Sequence, residues 1–177
     1  MLYCNMRKKR FARIFSLAIL CLAATACTIS YKFNAASIDY TKISTITIND
    51  FPNQAAMVYP PLSQLFTETM KDLYNRKTRL QQVQQNGDLE LEGEITGYDL
   101  APTAVNEDAW ASRTRFTITI RVRYTNRKED EKDFEQSFSA YREFDANRML
   151  TDVQDELIKD ISDEIADQIF NATVANW

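Results

Sequence analysis

Hydrophobic and polar residues alternate most cleanly between Arg113 and Arg127. Phe116, Ile118, Ile120, Val122 and Tyr124 fall on one side, with Arg113, Arg115, Thr117, Thr119, Arg121, Arg123 and Arg127 on the other. That period of two marks a half-buried strand. A second alternation sets Leu89, Leu91, Gly93 and Ile95 against Glu90, Glu92, Glu94 and Thr96, after the turn signal Asn86-Gly87-Asp88. Phe134 to Phe144 reads as a further strand, joined to the arginine-bearing one by the charged hairpin Lys128-Glu129-Asp130-Glu131. Between Asp99 and Ser112 small and polar residues predict a loop, with Trp110 near its end. An earlier run, Ile43 to Ile48, is rich in β-branched residues and predicts the first strand, broken by Asn49-Asp50-Phe51-Pro52-Asn53.

Two segments change period from 2 to 3.6. Pro60-Pro61 opens the first, because proline fits a helix's first turn. Leu62, Leu65, Phe66, Thr69, Leu73 and Met70 make its apolar face, and it frays by Lys77. The second is predicted to start at Thr151, where Thr151-Asp152-Val153-Gln154 matches a capping box. Leu150, Val153, Leu157, Ile161, Ile165 and Ile169 line its stripe, flanked by Ile158 and Phe170. The predicted order is β-α-β-β-β-α. Strands with one polar face and helices with one apolar stripe pack as an α/β two-layer sandwich of the α+β class. Both helices cover one face of a four-stranded mixed sheet, and the other face stays polar. Periodicity leaves open how the first strand joins.

The N-terminus follows another plan. Arg7, Lys8, Lys9, Arg10 and Arg13 precede an apolar stretch from Ile14 to Ala24, and Ala24-Thr25-Ala26 leads to Cys27. Positive end, apolar centre and small residues form an export signal. The apolar run falls well short of the ~20 residues that span a bilayer, which disfavours a retained transmembrane helix. The segment resembles a bacterial lipoprotein signal, in which the cysteine receives a diacylglyceryl group and becomes the new N-terminus. Ala24 stands where that signal usually has Leu, Val or Ile; the alternative is an ordinary secreted protein cleaved near Ala26. The expected organisation is a signal over residues 1–26, a lipidated N-terminus and tether over 27–37, and one domain over 38–177. With two or more acyl chains, at about 0.8 kcal/mol per buried methylene, anchoring is stable.

Charge sharpens the class. Five of the 21 basic residues precede Cys27 and none of the 25 acidic residues do, leaving 16 against 25, a balance of −9. That argues against nucleic acid as a partner. The chain has no histidine, and Cys4, Cys21 and Cys27 are its only cysteines. A Ser-His-Asp or Cys-His arrangement is therefore excluded, no metal site suggests itself, and the domain must be stable without disulfides. Three glycines, Gly87, Gly93 and Gly97, cannot build a phosphate loop. No catalytic residue, metal or cofactor is expected beyond the covalent lipid on Cys27.

Several segments carry a family resemblance. They are Asp50-Phe51-Pro52-Asn53, the run Gly87 to Tyr98, Asp133 to Ser139, and the last helix with its ending Val174-Ala175-Asn176-Trp177. The chain resembles the LptE family of lipopolysaccharide-assembly lipoproteins. The resemblance implies a two-layer α/β domain on the periplasmic side of the cell outer membrane. It also implies a place inside or beneath an LptD-type β-barrel, as plug and assembly partner in lipopolysaccharide delivery. The alternative is a free periplasm-facing lipoprotein that binds a small apolar or glycolipid ligand between helices and sheet.

The arginine row is the sharpest chemical feature. Guanidinium groups bind phosphate in a bidentate way, and lipid A carries phosphates, so Arg113, Arg115, Arg121, Arg123 and Arg127 are candidates for lipopolysaccharide contact. The plainer reading pairs Arg121 and Arg123 across strands with Glu90, Glu92 and Glu94. On that reading Arg113 and Arg115, nearer the loop, are the cations expected to lack partners. Leu100, Val105 and Trp110 in the loop are candidate barrel contacts, with a tryptophan folded onto its own domain as the alternative. The acidic side of the last helix reads first as a solvated face.

Overall fold

The computed structural model describes residues 38–57, 59–103, 113–129 and 132–174, all within the compact unit Ala35–Trp177. The strands are β1 (Thr45–Ile48), β2 (Gln81–Gln82), β3 (Leu89–Pro102), β4 (Arg113–Asn126) and β5 (Phe134–Asp145). The helices are α1 (Pro61–Lys77) and α2 (Gln154–Thr173). The sheet order is β2-β1-β3-β4-β5, with β1 parallel to both neighbours and β3-β4-β5 an antiparallel meander. The α+β sandwich is as expected, but the sheet has five strands rather than four. The extra one, Gln81–Gln82, is two exposed residues without an apolar pattern, held by backbone pairing to β1.

β1 enters the middle of the sheet through one turn. Asn86 takes a positive φ of 57°, and Gly87 follows where a Cβ would lie 2.6 Å from the Thr47 nitrogen. Only glycine fits that approach. The Gly87 amide donates to Thr47 Oγ1 at 3.0 Å, and the Asp88 amide to Thr45 Oγ1 at 2.9 Å. In return the Asp88 carboxylate accepts the Ser44 and Thr45 amides at 2.9 and 3.1 Å. The turn thus fixes β1 in parallel register against β3, a long-range arrangement that alternation cannot encode.

The segment after β1 is more than a breaker. Phe51 is fully buried, stacked edge-on to Phe66 at 5.0 Å. Its amide donates to Thr67 Oγ1 at 3.1 Å, and its carbonyl accepts from Ser63 at 2.7 Å. Those bonds turn α1 so that Leu62, Phe66, Thr67, Met70, Leu73 and Tyr74 are buried; Leu65 and Thr69, predicted on the face, sit at its margin. The helices run parallel. Near their starts Tyr59 donates to Asp155 at 2.8 Å, and near their ends Tyr74 packs on Phe170 at 5.2 Å and bonds Thr173. Burial pushes the Tyr74 hydroxyl far above its ordinary pKa.

The capping box does not form. Leu150–Asp152 is a 3-10 turn, and α2 begins at Gln154 with Val153 as a cap that offers no side-chain bond. The Asp152 and Val153 amides reach the Met149 and Leu150 carbonyls at 3.1 and 3.0 Å, so the backbone satisfies donors assigned to Thr151. Ile158, Ile161, Ile165 and Ile169 are fully buried.

A bulge divides β3. Its register against β4 shifts between Ile95 and Gly97, which makes Thr96 the extra residue and flips the alternation. Before it, Glu90, Glu92 and Glu94 face outward with the β4 arginines. After it Tyr98 points inward, 4% exposed and 4.7 Å from Phe116. Burial pushes its hydroxyl up to about 12. The strand also runs on to Pro102, so Leu100 lies in β3, opposite Phe116, and not in the predicted loop.

Candidate functional site

The outer face of the sheet carries the charged chemistry. The register pairs each odd residue of β4 with an outward residue of β5, and with outward residues of β3 on both sides of the bulge. Five arginines, several carboxylates and a band of hydroxyls (Thr117, Thr119, Ser137, Ser139) therefore share one surface.

Toward the β4-β5 turn the arginines are matched. Arg121 lies 3.5 Å from Glu94. Arg123 bridges Glu92 and Glu135, each at 3.1 Å, and Glu135 first, then Glu92, raises its already high pKa. Arg127 reaches Glu90 at 2.6 Å, and Asn49 donates to the same carboxylate at 3.3 Å. Lys128 meets Asp88 at 3.1 Å. An open groove of ≈ 400 Å³ lies beside these pairs, with Asp50 and Pro52 on its far wall. The cross-strand pairing with Glu90, Glu92 and Glu94 expected for this row is what the geometry shows.

At the start of β4 the balance differs. Arg115 donates to Glu143 Oε1 at 2.9 Å and lies over the Tyr141 ring at 4.2 Å. Arg113 reaches Glu143 Oε2 at 3.9 Å. Neither is the partnerless cation expected, because β5 brings Glu143 opposite Arg115. One carboxylate nevertheless serves two guanidiniums. Asp145, opposite Arg113 in register, turns its carboxylate to the Asn147 amide at 2.9 Å. Beyond the bulge β3 presents Gly97, Asp99 and Ala101 on this face in place of three glutamates. Arg113 keeps a side-chain exposure of 60% and Arg115 of 42%, so this end presents cations to solvent.

Leu100 is 38% exposed on the helix side of the sheet, at the end where β3 finishes. Val105 and Trp110 lie outside the described residues, as does Cys27. Between the helices and the sheet the space is filled by side chains of one buried cluster. An opening of ≈ 480 Å³ exists at the helix C-terminal end, walled by Ile38, Ile43, Leu89, Tyr124, Phe134 and Val174 among others. Burial pushes the Tyr124 hydroxyl there up to about 12. What sequence reasoning missed is Glu143, whose two-residue offset from Tyr141 on an outward row was the available signal, and Asp88, visible only as a turn residue.

Comparison with known proteins agrees with this architecture. The model of the family described as LptE, lipopolysaccharide-assembly, matches residues 43–173. No curated protein matches the chain. Among solved structures, a protein of Xanthomonas campestris is 9% identical with a TM-score of 0.53, over 75% of this chain and 84% of its own. A hypothetical protein of Chlamydia trachomatis is 9% identical with a TM-score of 0.51, over 76% of this chain and 99% of its own. A minor lipoprotein of Acinetobacter baumannii is 13% identical with a TM-score of 0.49, over 73% and 93%. At these identities the first two speak for the fold alone.

Proposed function

The chain belongs to the LptE family of lipopolysaccharide assembly, and from that premise we propose that it is a non-enzymatic outer-membrane lipoprotein partnering an LptD-type β-barrel. The supporting observation is the family match from Ile43 to Thr173, nearly the whole described domain. In this reading Cys27 carries the acyl chains and holds the domain on the periplasmic side. The folded domain then acts as plug and assembly partner for the barrel during lipopolysaccharide delivery. A rigid sandwich with a polar outer sheet face suits a water-filled lumen, because its exposed groups need no apolar cover.

The Arg113–Arg115 end is the place on this surface best suited to a lipid A phosphate. Phosphate accepts bidentate bonds from guanidinium, and there two guanidiniums share one carboxylate. Leu100 stands at the same end of β3 as a candidate barrel contact. Val105 and Trp110, in the segment that follows, complete that proposal. The alternative ligand-binding lipoprotein has one observation in its favour, the opening at the helix C-terminal end.

Affinity purification from membranes tests the partnership: a stoichiometric large barrel protein is expected, and its absence would favour the free ligand-binding lipoprotein. Incorporation of radiolabelled fatty acid, lost in Cys27→Ala, tests the anchor. Retained label in that variant would remove Cys27 as the attachment point.

A further inference from the structure

The two edges of the sheet differ. One is β2, two residues long. The other is β5, twelve residues with an unbroken register against β4 and no proline. Backbone direction along β5 follows from bonds elsewhere in the meander. The Thr103 amide donates to the Arg113 carbonyl at 2.8 Å, and the Arg127 amide to the Asp88 carbonyl at 2.9 Å. Odd positions of β4 therefore bond β3, and even positions bond β5, since antiparallel residues alternate between the two sides. Even residues of β4 pair with even residues of β5. The amides and carbonyls of Glu135, Ser137, Ser139, Tyr141 and Glu143 are left facing the open edge.

Among the described residues one device blunts this edge: Arg142 donates to the Tyr141 carbonyl at 2.9 Å while pairing with Glu164 on α2 at 2.6 Å. The stretch from Gln136 to Tyr141 carries no charge, and Gln136, Ser137, Ser139 and Tyr141 are exposed. Soluble proteins protect long, flat, uncharged edges, because unpaired amides and carbonyls template another strand. We propose that β5 receives an extended segment of a protein partner by strand addition, with backbone bonds to Ser137 and Ser139 at its centre.

The charge pattern selects the occupant. The outward row reads Glu135, Ser137, Ser139, Tyr141, Glu143, Asp145. A second copy centred on Ser139 sets Glu135 against Glu143, and one centred on Ala140 sets Glu135 against Asp145. Like charges directly opposite destabilise a strand pair. A segment with hydroxyl or aliphatic residues in the middle and lysine or arginine at its ends meets both acidic flanks. The inference stands on the edge geometry alone and does not depend on the barrel assignment.

The probe is a peptide of about ten residues, alternating valine and threonine with a lysine at each end. Amide hydrogen exchange is followed on the full-length protein. Saturating peptide should slow exchange at Ser137, Ser139 and Tyr141 by ~tenfold or more, and a copy N-methylated along one edge should not. Ser139→Pro removes an outward amide without breaking the β4 ladder; it should melt like the parent and lose the protection. Three outcomes overturn the proposal: no slowing in the parent, equal slowing by the N-methylated peptide, or peptide-independent protection that rises with protein concentration alongside a dimer in sedimentation. The last would make a second copy the occupant.

Discussion

The two ends of the outer sheet face carry the same residue type on the same strand and differ in everything around it. Toward the β4-β5 turn, Arg121, Arg123 and Arg127 meet Glu94, Glu92, Glu135 and Glu90. At the start of β4, Arg113 and Arg115 share Glu143. The cause is one residue in the neighbouring strand. Thr96 bulges, the alternation of β3 inverts, and the supply of glutamates to this face stops. A local irregularity thereby sets the charge balance of a surface more than two strands wide, and it buries Tyr98 in the same step.

Removing the bulge should do the most damage. Deleting Thr96 returns Tyr98 to the outer face and strips its packing on Phe116. A loss of at least about 2–3 kcal/mol is expected for one large aromatic expelled from the core, read by denaturant unfolding. An unchanged midpoint would mean that the register is set elsewhere.

Asp88→Ala should come next. It leaves the Ser44 and Thr45 amides and Lys128 without their carboxylate, costing about 2 kcal/mol at neutral pH. The amide of Ser44, then Lys128 and Thr45, hold the Asp88 pKa well below its ordinary 3.8. A depressed carboxylate contributes stability above its unfolded value, and that stability is lost as pH falls below it. The parent should therefore weaken progressively below about pH 4, and the alanine variant should lack that part of the acid slope.

Breaking the lattice itself should do little. Arg121→Gln is expected to cost less than about 1 kcal/mol, since exposed pairs are screened and entropically expensive, and the difference should shrink further in high salt. At the other end the effect moves from stability to binding. Charge reversal of Arg113 and Arg115 should leave the melting temperature in place and weaken lipopolysaccharide binding, measured on immobilised lipopolysaccharide. Glu143→Gln, which frees both guanidiniums, should strengthen it on the order of severalfold. If reversal at Arg121 and Arg123 weakens binding as much as reversal at Arg113 and Arg115, the contrast between the ends has no functional meaning.

Alternation in the meander strands and the 3.6 period of the two helices were legible because each element has one apolar side. The arginine row and the glutamate row were legible for the same reason, and with them the pairing of Arg121 and Arg123. Phe51 was not, because its neighbours Asp50, Pro52 and Asn53 read as a break; its burial depends on Ser63 and Thr67 from α1. Thr151 matched a cap in sequence, yet a 3-10 turn satisfied the same amides with backbone carbonyls. Gln81–Gln82 had no pattern to find.

By itself the sequence determined which side of each element is apolar, the α+β class, and the resemblance to the LptE family. Side-chain periodicity and local motifs are written residue by residue, so they need no partner to be read. Tertiary structure decided the rest. It placed β1 between β2 and β3 through the Asn86-Gly87-Asp88 turn, inverted β3 at Thr96, gave Glu143 to two arginines, and left β5 as the open edge. Each is a relation between segments distant in the chain, fixed by packing and backbone pairing rather than by either segment's own pattern.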